Sequence, residues 1–574
     1  MPTGVERRRR LVTRALPLAV VAAISFIAGA STGSSPPPEK AAADRFADAW
    51  SRQDYAAMHA ELNPASAAKV STADFAKAYL DAQETATMRS LEAGSAGDPS
   101  SENGLKVVTV PITVSTIAFG NLEGELKLPF EDGGVVWDPS LVFPGLQKGE
   151  HLGNSIRLAT RAPIFAADGS VLAQGPALSR EHPLGTDAID VTGEVGSADP
   201  ADEATYASQG FPPGTPVGIS GVEKAFNTRL AGKPGGELLA QSDSGGDSRI
   251  LAQSDPSPGK AVKTTIDPTL QEAAVAALAG RSGGIAVLDA RIGAVRGLAG
   301  QAFSAPQPPG STFKMVTTTA ALQKDVVSLD DTFPVTNGVN VGGRFIYNAN
   351  GEYCGGTFVE AFAESCNAVF APLGPKIGND GMVKTAERFG FNERPKLYNR
   401  AALDAIAPPE PSIPEQIGDD LDLGVSAIGQ GQVLATPLEM ATVAQAIGSG
   451  GVRQPTPLVV KKELGPHAKP VRVMSAKIAK TLRDLMIGVV TSGTGTAGAI
   501  PEAQVAGKTG TAELGPEPGQ ENSPNPVQIK DAWFAAFAPA EKPKLAVGMV
   551  LIDAGAAGGE VAAPAVAQVL SAGL

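Results

Sequence analysis

This sequence contains few of the residues that build metal centres, disulfide frameworks and histidine-based active sites. Among its 574 residues are two cysteines and four histidines, and aromatic residues make up 5%. No histidine stands at metal-ligand spacing from another, which argues against a zinc hydrolase and against a Ser-His-Asp triad; the four are His59, His151, His182 and His467. We therefore expect neither a metal nor another cofactor.

Charge and motif content exclude two further classes of function. The formal net charge is −13, and there is no long basic tract outside the first residues, which argues against nucleic-acid binding. The nucleotide-binding pattern G-x-x-x-x-G-K-[ST] is absent, so nucleotide hydrolysis has no support. With 43% hydrophobic residues the chain can bury real cores, and its length predicts roughly three domains.

Three short motifs are the most informative feature that the sequence does contain. Serine and lysine three positions apart on a helix share one face, and a serine at a helix N-terminus lies in the positive end of the macrodipole. One S-x-x-K is weak, but S-x-x-K, S-x-N and K-T-G in this order are specific. The motifs are Ser311-Thr312-Phe313-Lys314, Ser365-Cys366-Asn367 and Lys508-Thr509-Gly510-Thr511. The sequence here resembles the penicillin-binding protein and serine β-lactamase superfamily.

Nucleophilic catalysis explains why these residue types are needed. A serine hydroxyl such as that of Ser311 needs a base, and an exposed lysine, with a pKa of about 10.4, is a poor base at neutral pH. Burial and a second cation both lower a lysine pKa, so Lys314 is the expected base and Lys508 the expected cation. Ser365 can relay a proton to the leaving amine, and Asn367 can hold Lys314 and bind a substrate amide.

The third motif also has expected binding roles. Lys508, Thr509 and Thr511 can attract a substrate carboxylate, and Gly510 leaves room for a substrate backbone beside a strand. The resemblance assigns the oxyanion-hole N–H groups to Ser311 and Thr511.

Each residue also has an ordinary structural interpretation. Alone, Ser311 would be read as a helix N-cap, Lys508 as a solvated lysine, and Ser365 and Asn367 as turn or cap residues. The ordered set of motifs favours the catalytic interpretation. The two cysteines, Cys354 and Cys366, are either buried thiols or a disulfide; we favour the disulfide, which would tether the Ser365–Asn367 segment.

Other segments predict a multidomain α+β protein. Residues 41–146 show helical apolar faces, including an expected helix from Ala73 to Leu91, followed by alternating strands, and the run Val136–Pro144 resembles the end of an NTF2-like domain. Residues 147–256 are rich in glycine, proline and aspartate and resemble the β-rich dimer, or pedestal, domain of penicillin-binding proteins. Residues 257–574 resemble their transpeptidase domain, which implies an antiparallel sheet flanked by helices.

Residues 1–40 predict an export signal and a linker. Arginines at positions 7–10 and 14 precede an apolar stretch, Leu16–Ala30, so the basic end is expected inside and the rest outside the cytoplasm. Either the segment stays as a single-pass membrane anchor or signal peptidase cleaves it near Ala30. We favour the anchor, because the family that the chain resembles works at the membrane surface.

The resemblance implies a class B-like penicillin-binding protein, a peptidoglycan D,D-transpeptidase. Ser311 would form an acyl-enzyme with stem peptides, β-lactams would acylate the same serine, and D-Ala-D-Ala carboxypeptidase activity is a further option. Proteins of cell-wall synthesis or division are the expected partners. The alternatives are a β-lactamase, which usually lacks two additional N-terminal domains, and a non-enzymatic β-lactam sensor or scaffold, which the intact motifs disfavour.

Overall fold

The computed structural model describes residues 36–516, 518 and 528–574. The predicted export segment, Leu16–Ala30, lies outside the described residues. Within them, no helix combines the length and the apolar character that crossing a membrane requires.

Helices and strands alternate irregularly along the described chain. The helices are α1 (Pro38–Ser51), α2 (Tyr55–Ala60), α3 (Pro64–Ala67), α4 (Thr72–Thr85), α5 (Ile189–Thr192), α6 (Glu203–Ala207), α7 (Gly221–Ala225), α8 (Asn227–Ala231), α9 (Pro268–Leu278), α10 (Lys314–Gln323), α11 (Phe358–Ala363), α12 (Asn367–Phe370), α13 (Leu373–Phe389), α14 (Arg400–Ile406), α15 (Asp420–Ala427), α16 (Pro437–Gly448), α17 (Ala476–Thr491) and α18 (Gly558–Ala572). The strands are β1 (Met88–Ala93), β2 (Ser100–Glu102), β3 (Leu105–Thr116), β4 (Asn121–Glu131), β5 (Gly134–Val135), β6 (Glu150–Arg157), β7 (Ile164–Phe165), β8 (Val171–Ala173), β9 (Val195–Gly196), β10 (Val217–Gly218), β11 (Gly235–Ser242), β12 (Arg249–Ser254), β13 (Val262–Lys263), β14 (Gly283–Asp289), β15 (Val295–Gly300), β16 (Thr332–Thr336), β17 (Gly338–Val341), β18 (Arg344–Tyr347), β19 (Cys354–Thr357), β20 (Val452–Arg453), β21 (Val471–Arg472), β22 (Ala506–Pro516), β23 (Gln528–Ala538) and β24 (Leu545–Leu551).

Two compact units divide the chain. The first comprises the described residues up to Arg157 together with Gly235–Asp255, and the second comprises Leu158–Pro234 and Pro256–Leu574. The boundaries that the sequence suggests after residues 146 and 256 stay a prediction.

The first unit packs helices on an antiparallel sheet. Its main sheet has the order β1-β3-β4-β5, with β2 paired to β3, and β12-β11-β6 form a second sheet. One hydrophobic core joins α1 and α4 to strand residues, with Phe46, Trp50 and Phe75 at most 2% exposed. The expected helix from Ala73 to Leu91 is wrong in its last third. The helix ends at Thr85, because Thr87 has a left-handed φ of 46° and the chain then enters β1, which pairs with β3.

The second unit is built around a five-stranded antiparallel sheet of order β15-β14-β24-β23-β22. Successive side chains of a strand point to opposite faces of the sheet. Neighbouring residues of the buried strands therefore pack into different hydrophobic cores. Ile285 and Val287 lie in the core that contains α9 and α18, whereas Ala286 and Leu288 lie in the core that contains α10, α16 and α17. The sheet is therefore covered by helices on both faces, as expected, and β22 forms one of its edges.

Local sequence explains where several helices of this unit begin. Asp267 caps α9 with Pro268 in its first turn, and Thr436 caps α16 with Pro437 in the same position. At α11, Thr357 and Glu360 form a reciprocal capping box. These caps fix where one helix on each face of the sheet begins, and where the helix that precedes the second motif begins.

Candidate active site

The first motif lies on a tight turn rather than inside a regular α-helix. Ser311 belongs to a 3₁₀ turn, Gly310–Phe313, and α10 begins at Lys314. Gly310 has a φ of 52°, which favours glycine, and its N–H donates to the carbonyl of Gly429 over 2.9 Å. A Cβ on Gly429 would lie 2.0 Å from the carbonyl oxygen of Gly310, so glycine is required on both sides of this contact.

Lys314 is completely buried, and its amine contacts the second motif. Its Nζ donates to the carbonyl oxygen of Ser365 over 2.6 Å and to Oδ1 of Asn367 over 2.8 Å, and it lies 3.3 Å from Oγ of Ser365. A neutral amine has two N–H donors and one lone pair. The two carbonyl-type oxygens satisfy the donors, which leaves the lone pair to accept a proton from a hydroxyl.

The second motif occupies a turn between α11 and α12. Ser365 has a φ of 63°, unusual for a residue other than glycine, and backbone outliers of this kind concentrate at functional sites. Its N–H donates to the carbonyl of Phe362 over 3.2 Å. This turn aims both the carbonyl and the hydroxyl of Ser365 at Lys314.

Asn367 is held from two directions. Its Oδ1 accepts from Lys314, and its Nδ2 donates to the carbonyl of Tyr347 at the end of β18 over 2.9 Å. The buried Asn348 follows in sequence, and its Oδ1 accepts from the N–H of Ala368 over 2.8 Å. The β17–β18 hairpin therefore positions the second motif, a role that the sequence did not indicate.

The third motif lies on the edge strand β22, and its lysine reaches the second motif. Lys508 is fully buried, and its Nζ donates to Oγ of Ser365 over 2.9 Å and to the carbonyl of Thr509 over 3.1 Å. Oγ1 of Thr509 lies 2.6 Å from Oγ1 of Thr494. Thr494 is a second residue that no motif of the sequence indicated.

Gly510 brings strand β22 against the nucleophile turn. A Cβ at Gly510 would lie 2.7 Å from the carbonyl oxygen of Pro309 and 2.9 Å from Cγ2 of Thr312. A Cβ at Gly310 would likewise lie 2.5 Å from the carbonyl oxygen of Thr511. The first and third motifs are thus in direct contact, and a glycine on each side permits it.

Burial dominates the electrostatics of the two lysines. It holds the pKa of Lys314 well below its ordinary value, and the nearby charge of Lys508 lowers it further. Burial also lowers the pKa of Lys508, to about 7. The site can therefore hold Lys314 as a free amine at neutral pH while Lys508 still carries positive charge in part of the molecules.

An open cleft of about 950 Å³ gives access to these groups. Its lining includes most of the predicted site residues: Ser311, Ser365, Asn367, Thr509, Gly510 and Thr511. Lys314 and Lys508 lie beneath, in contact with Ser365. The structure thus brings all eight predicted catalytic and substrate-binding residues to one place, including both expected oxyanion-hole residues.

The cysteines flank this site. Cys354 and Cys366 form a disulfide with a Cα–Cα distance of 5.8 Å. Because Cys366 stands between Ser365 and Asn367, the bridge ties their turn to strand β19.

Family comparisons agree with this arrangement along most of the chain. The penicillin binding protein transpeptidase domain matches residues 283–571, the penicillin-binding protein dimerisation domain matches 172–264, and the NTF2-like N-terminal transpeptidase domain matches 38–150. These matches confirm the predicted fold class of three successive domains.

Individual relatives match over part of their length. The peptidoglycan D,D-transpeptidase PbpA of Mycolicibacterium smegmatis is 36% identical over 290 residues, which are 46% of this chain and 55% of that protein. Its namesake from Mycobacterium tuberculosis is 34% identical over 300 residues, 48% of this chain and 57% of that protein. The chain therefore spans little more than half the length of these curated relatives.

Solved structures resemble a larger part of the chain. The D,D-transpeptidase domain of a peptidoglycan glycosyltransferase from Eggerthella lenta is 30% identical with a TM-score of 0.56, covering 72% of this chain and 98% of that one. Penicillin-binding protein A of M. tuberculosis, solved as a ceftriaxone acyl-enzyme complex, is 25% identical with a TM-score of 0.56, again covering 72% and 98%.

Proposed function

Because this chain belongs to the penicillin-binding protein transpeptidase family, we propose that it is a serine D,D-transpeptidase that cross-links peptidoglycan stem peptides. One observation carries the proposal: two buried lysines converge on the hydroxyl of Ser365 beside a cleft lined by Ser311. The curated relatives with this activity and the acyl-enzyme structure of a related protein support it.

Acylation follows from the contacts of Lys314. Its lone pair takes the proton of Ser311 as Oγ attacks the carbonyl carbon of the penultimate D-alanine. The developing oxyanion is placed between the backbone N–H groups of Ser311 and Thr511. The proton passes through the hydroxyl of Ser365 to the leaving nitrogen, the C–N bond breaks, and D-alanine departs, leaving an ester on Ser311.

Deacylation reverses the proton path. An amine of a second stem peptide attacks the ester carbonyl, its proton returns through Lys314 to Oγ of Ser311, and a new amide cross-links the two stems. If water attacks instead, the product is a free acid, which is the carboxypeptidase reaction. The stem peptide that acylates Ser311 would bind through two groups. Its terminal carboxylate would be bound by Lys508, Thr509 and Thr511, and its amide by Asn367.

A fluorescent penicillin tests the assignment directly. We expect covalent labelling of the protein, a mass increment on the peptide that contains Ser311, and no labelling of a folded Ser311→Ala variant. Ser304→Ala removes an exposed serine seven positions earlier and should label normally. Labelling of Ser311→Ala at the normal rate would refute the assignment.

The fate of the acyl group separates a transpeptidase from a β-lactamase. A transpeptidase should retain the penicilloyl group for minutes or longer and should join a D-Ala-D-Ala stem peptide to an added amine. Rapid turnover of penicillin, with the free enzyme regenerated within seconds, would instead support the β-lactamase alternative.

The membrane location is part of the proposal. The predicted segment Leu16–Ala30 would anchor the protein with its catalytic domain outside the cytoplasm, where other proteins of cell-wall synthesis or division would be its partners. Fractionation of cells that express the full chain should place it in the membrane, and a protein of residues 36–574 should be released and still bind penicillin. If cells that express the full chain instead release all of the protein, cleaved near Ala30, that result would favour the secreted alternative.

A further inference from the structure

A second cavity of about 320 Å³ lies in the catalytic unit but shares no lining residue with the cleft. It is bordered by the first turns of α16, the segment that follows α13, and residues around β20 and β21. Its volume is at the lower end of the roughly 300–1,000 Å³ range of small-molecule sites.

Glu439 is the unusual residue of this cavity. It lines the cavity although the residue is only 7% exposed, and its Oε1 has no hydrogen-bond partner among the described residues. Gly390 makes room for it, because a Cβ there would lie 2.9 Å from Oε2 of Glu439 and 2.4 Å from Nη1 of Arg453. A buried polar atom without a partner is costly, so this carboxyl group favours a ligand that supplies one.

The charged groups around Glu439 are mostly cations. Arg453 and Lys396 both pair with Glu393, at 2.9 and 2.7 Å, so that carboxylate is already engaged. Lys469 makes no ion pair within the described parts of the chain. The remaining charged or titratable lining residues are His467 and Arg394, which pairs with Asp404 and Glu410 at 3.3 and 3.5 Å. The cavity therefore offers more positive than negative charge to a ligand.

Burial raises the pKa of Glu439 to about 8, with the charge of Arg453 opposing the rise and that of Glu393 adding to it. At neutral pH the carboxyl group is therefore mainly protonated and can donate a hydrogen bond. A protonated carboxyl beside an arginine and a lysine is suited to an anionic oxygen acceptor.

We propose that this cavity is a binding site for a small carboxylate, which accepts a hydrogen bond from the Glu439 carboxyl group while Arg453 and Lys469 supply positive charge. The site does not depend on the chemistry at Ser311. A rise in pH through about 8 deprotonates Glu439, and the resulting repulsion between two carboxylates weakens binding.

Calorimetric titration of the protein tests the ligand class with three probes: N-acetylglycine, glycinamide and inorganic phosphate. We expect N-acetylglycine to bind and glycinamide, which has an ammonium group and no carboxylate, not to bind. Hydrogen exchange should show protection of residues 390–396 and 453–456 by N-acetylglycine. No binding of N-acetylglycine, binding of phosphate alone, or protection only of the cleft residues 344–352 would overturn the proposal.

Lysine and glutamate variants test which side chains of the cavity bind the carboxylate. Lys469→Ala should weaken N-acetylglycine binding at least threefold, whereas Lys477→Ala, which removes another exposed lysine, should leave it unchanged. Binding to the unmodified protein should weaken at least fivefold between pH 6.5 and pH 9. Glu439→Gln keeps a hydrogen-bond donor but cannot ionise, so its binding should change less than twofold over the same range. Equal pH profiles for the two proteins, or equal affinities of the two lysine variants, would contradict the site.

Discussion

The ammonium group of Lys508 donates a hydrogen bond to the hydroxyl of Ser365, 2.9 Å away, although the two residues are 143 positions apart in sequence. The same hydroxyl lies 3.3 Å from Nζ of Lys314. Ser365 is thus placed between two amines of lowered pKa. A proton on either lysine can reach the other side of the site through this single oxygen.

We expect replacement of Lys314 and of Lys508 by alanine to affect different steps of the reaction with penicillin. Lys314→Ala deletes the base, and we expect acylation by penicillin to slow by about 10²–10⁴-fold, the usual contribution of general acid–base catalysis. Lys508→Ala should slow acylation less and act mainly on the binding of the β-lactam carboxylate. Stopped-flow kinetics over a range of penicillin concentrations separates the maximal rate from the half-saturating concentration.

Lys477→Ala is the matched control for these two variants, because it removes a solvent-exposed lysine of α17. Losses below tenfold for both Lys314→Ala and Lys508→Ala would contradict the division of roles.

Burial of Lys508 should make stability depend on pH. The pKa of Lys508 is about 7 in the folded protein and about 10.4 in the unfolded chain. Between these pH values the unfolded chain binds more protons than the folded protein. The contribution of Lys508 to the free energy of unfolding therefore rises with pH. Lys508→Met, which keeps an apolar stem but removes the charge, should therefore be more stable than the unmodified protein at pH 7. Urea unfolding should show this difference shrinking towards pH 10. If Lys508→Met lowered the free energy of unfolding equally at pH 7 and pH 10, burial of the lysine charge would not destabilise the folded protein.

Gly510→Ala should disturb the site through packing. The added Cβ would lie 2.7 Å from the carbonyl oxygen of Pro309, so strand β22 and the Ser311 turn must separate. We expect penicillin labelling to slow at least tenfold in protein that remains folded by circular dichroism. Gly488→Ala is the control, because a Cβ there meets no atom of the described residues within 4 Å and alanine favours the interior of α17. Unchanged labelling of Gly510→Ala would show that the contact can relax.

The disulfide should contribute to both stability and reactivity. Its cysteines are 12 positions apart, and closing such a loop stabilises by about 2–3 kcal/mol in the chain-entropy account. Replacing Cys354 and Cys366 together by alanine should lower the unfolding midpoint and slow acylation, because the turn carrying Ser365 and Asn367 loses its tether. Non-reducing peptide mapping of exported protein should recover the linked peptides. Two free thiols that alkylate in the native protein would contradict the bridge.

The sequence was sufficient to identify the site residues. It did not indicate the contacts that hold each of them in position. Ser311, Ser365 and Lys508 could be recognised because the chemistry restricts the residue types, and because the order of the three motifs resembles that of penicillin-binding proteins. Gly510 could also be singled out, but the structure shows its Cβ position directed at the Pro309–Thr312 turn, a contact between distant segments that spacing does not encode.

Supporting residues without a chemical signature could not be predicted. Thr494 contacts Thr509, and the carbonyl of Tyr347 holds Asn367, through pairings that exist only after the chain has folded. The segment Ala86–Leu91, which the sequence predicts as helix, is too short for the spacing of its apolar residues to separate the end of a helix from the start of a strand.

The convergence of distant segments on Ser365 makes this site a reporter of complete folding. Lys314 and Ser365 are 51 positions apart and Lys508 and Ser365 are 143 apart, so no fragment that contains only one motif holds the reactive arrangement. A polypeptide still emerging from the ribosome or from an export channel would be inert towards β-lactams until its last sheet strands were in place. The fraction of molecules that a penicillin labels at saturation should therefore count native molecules in a preparation, and could be used to follow refolding without any tag.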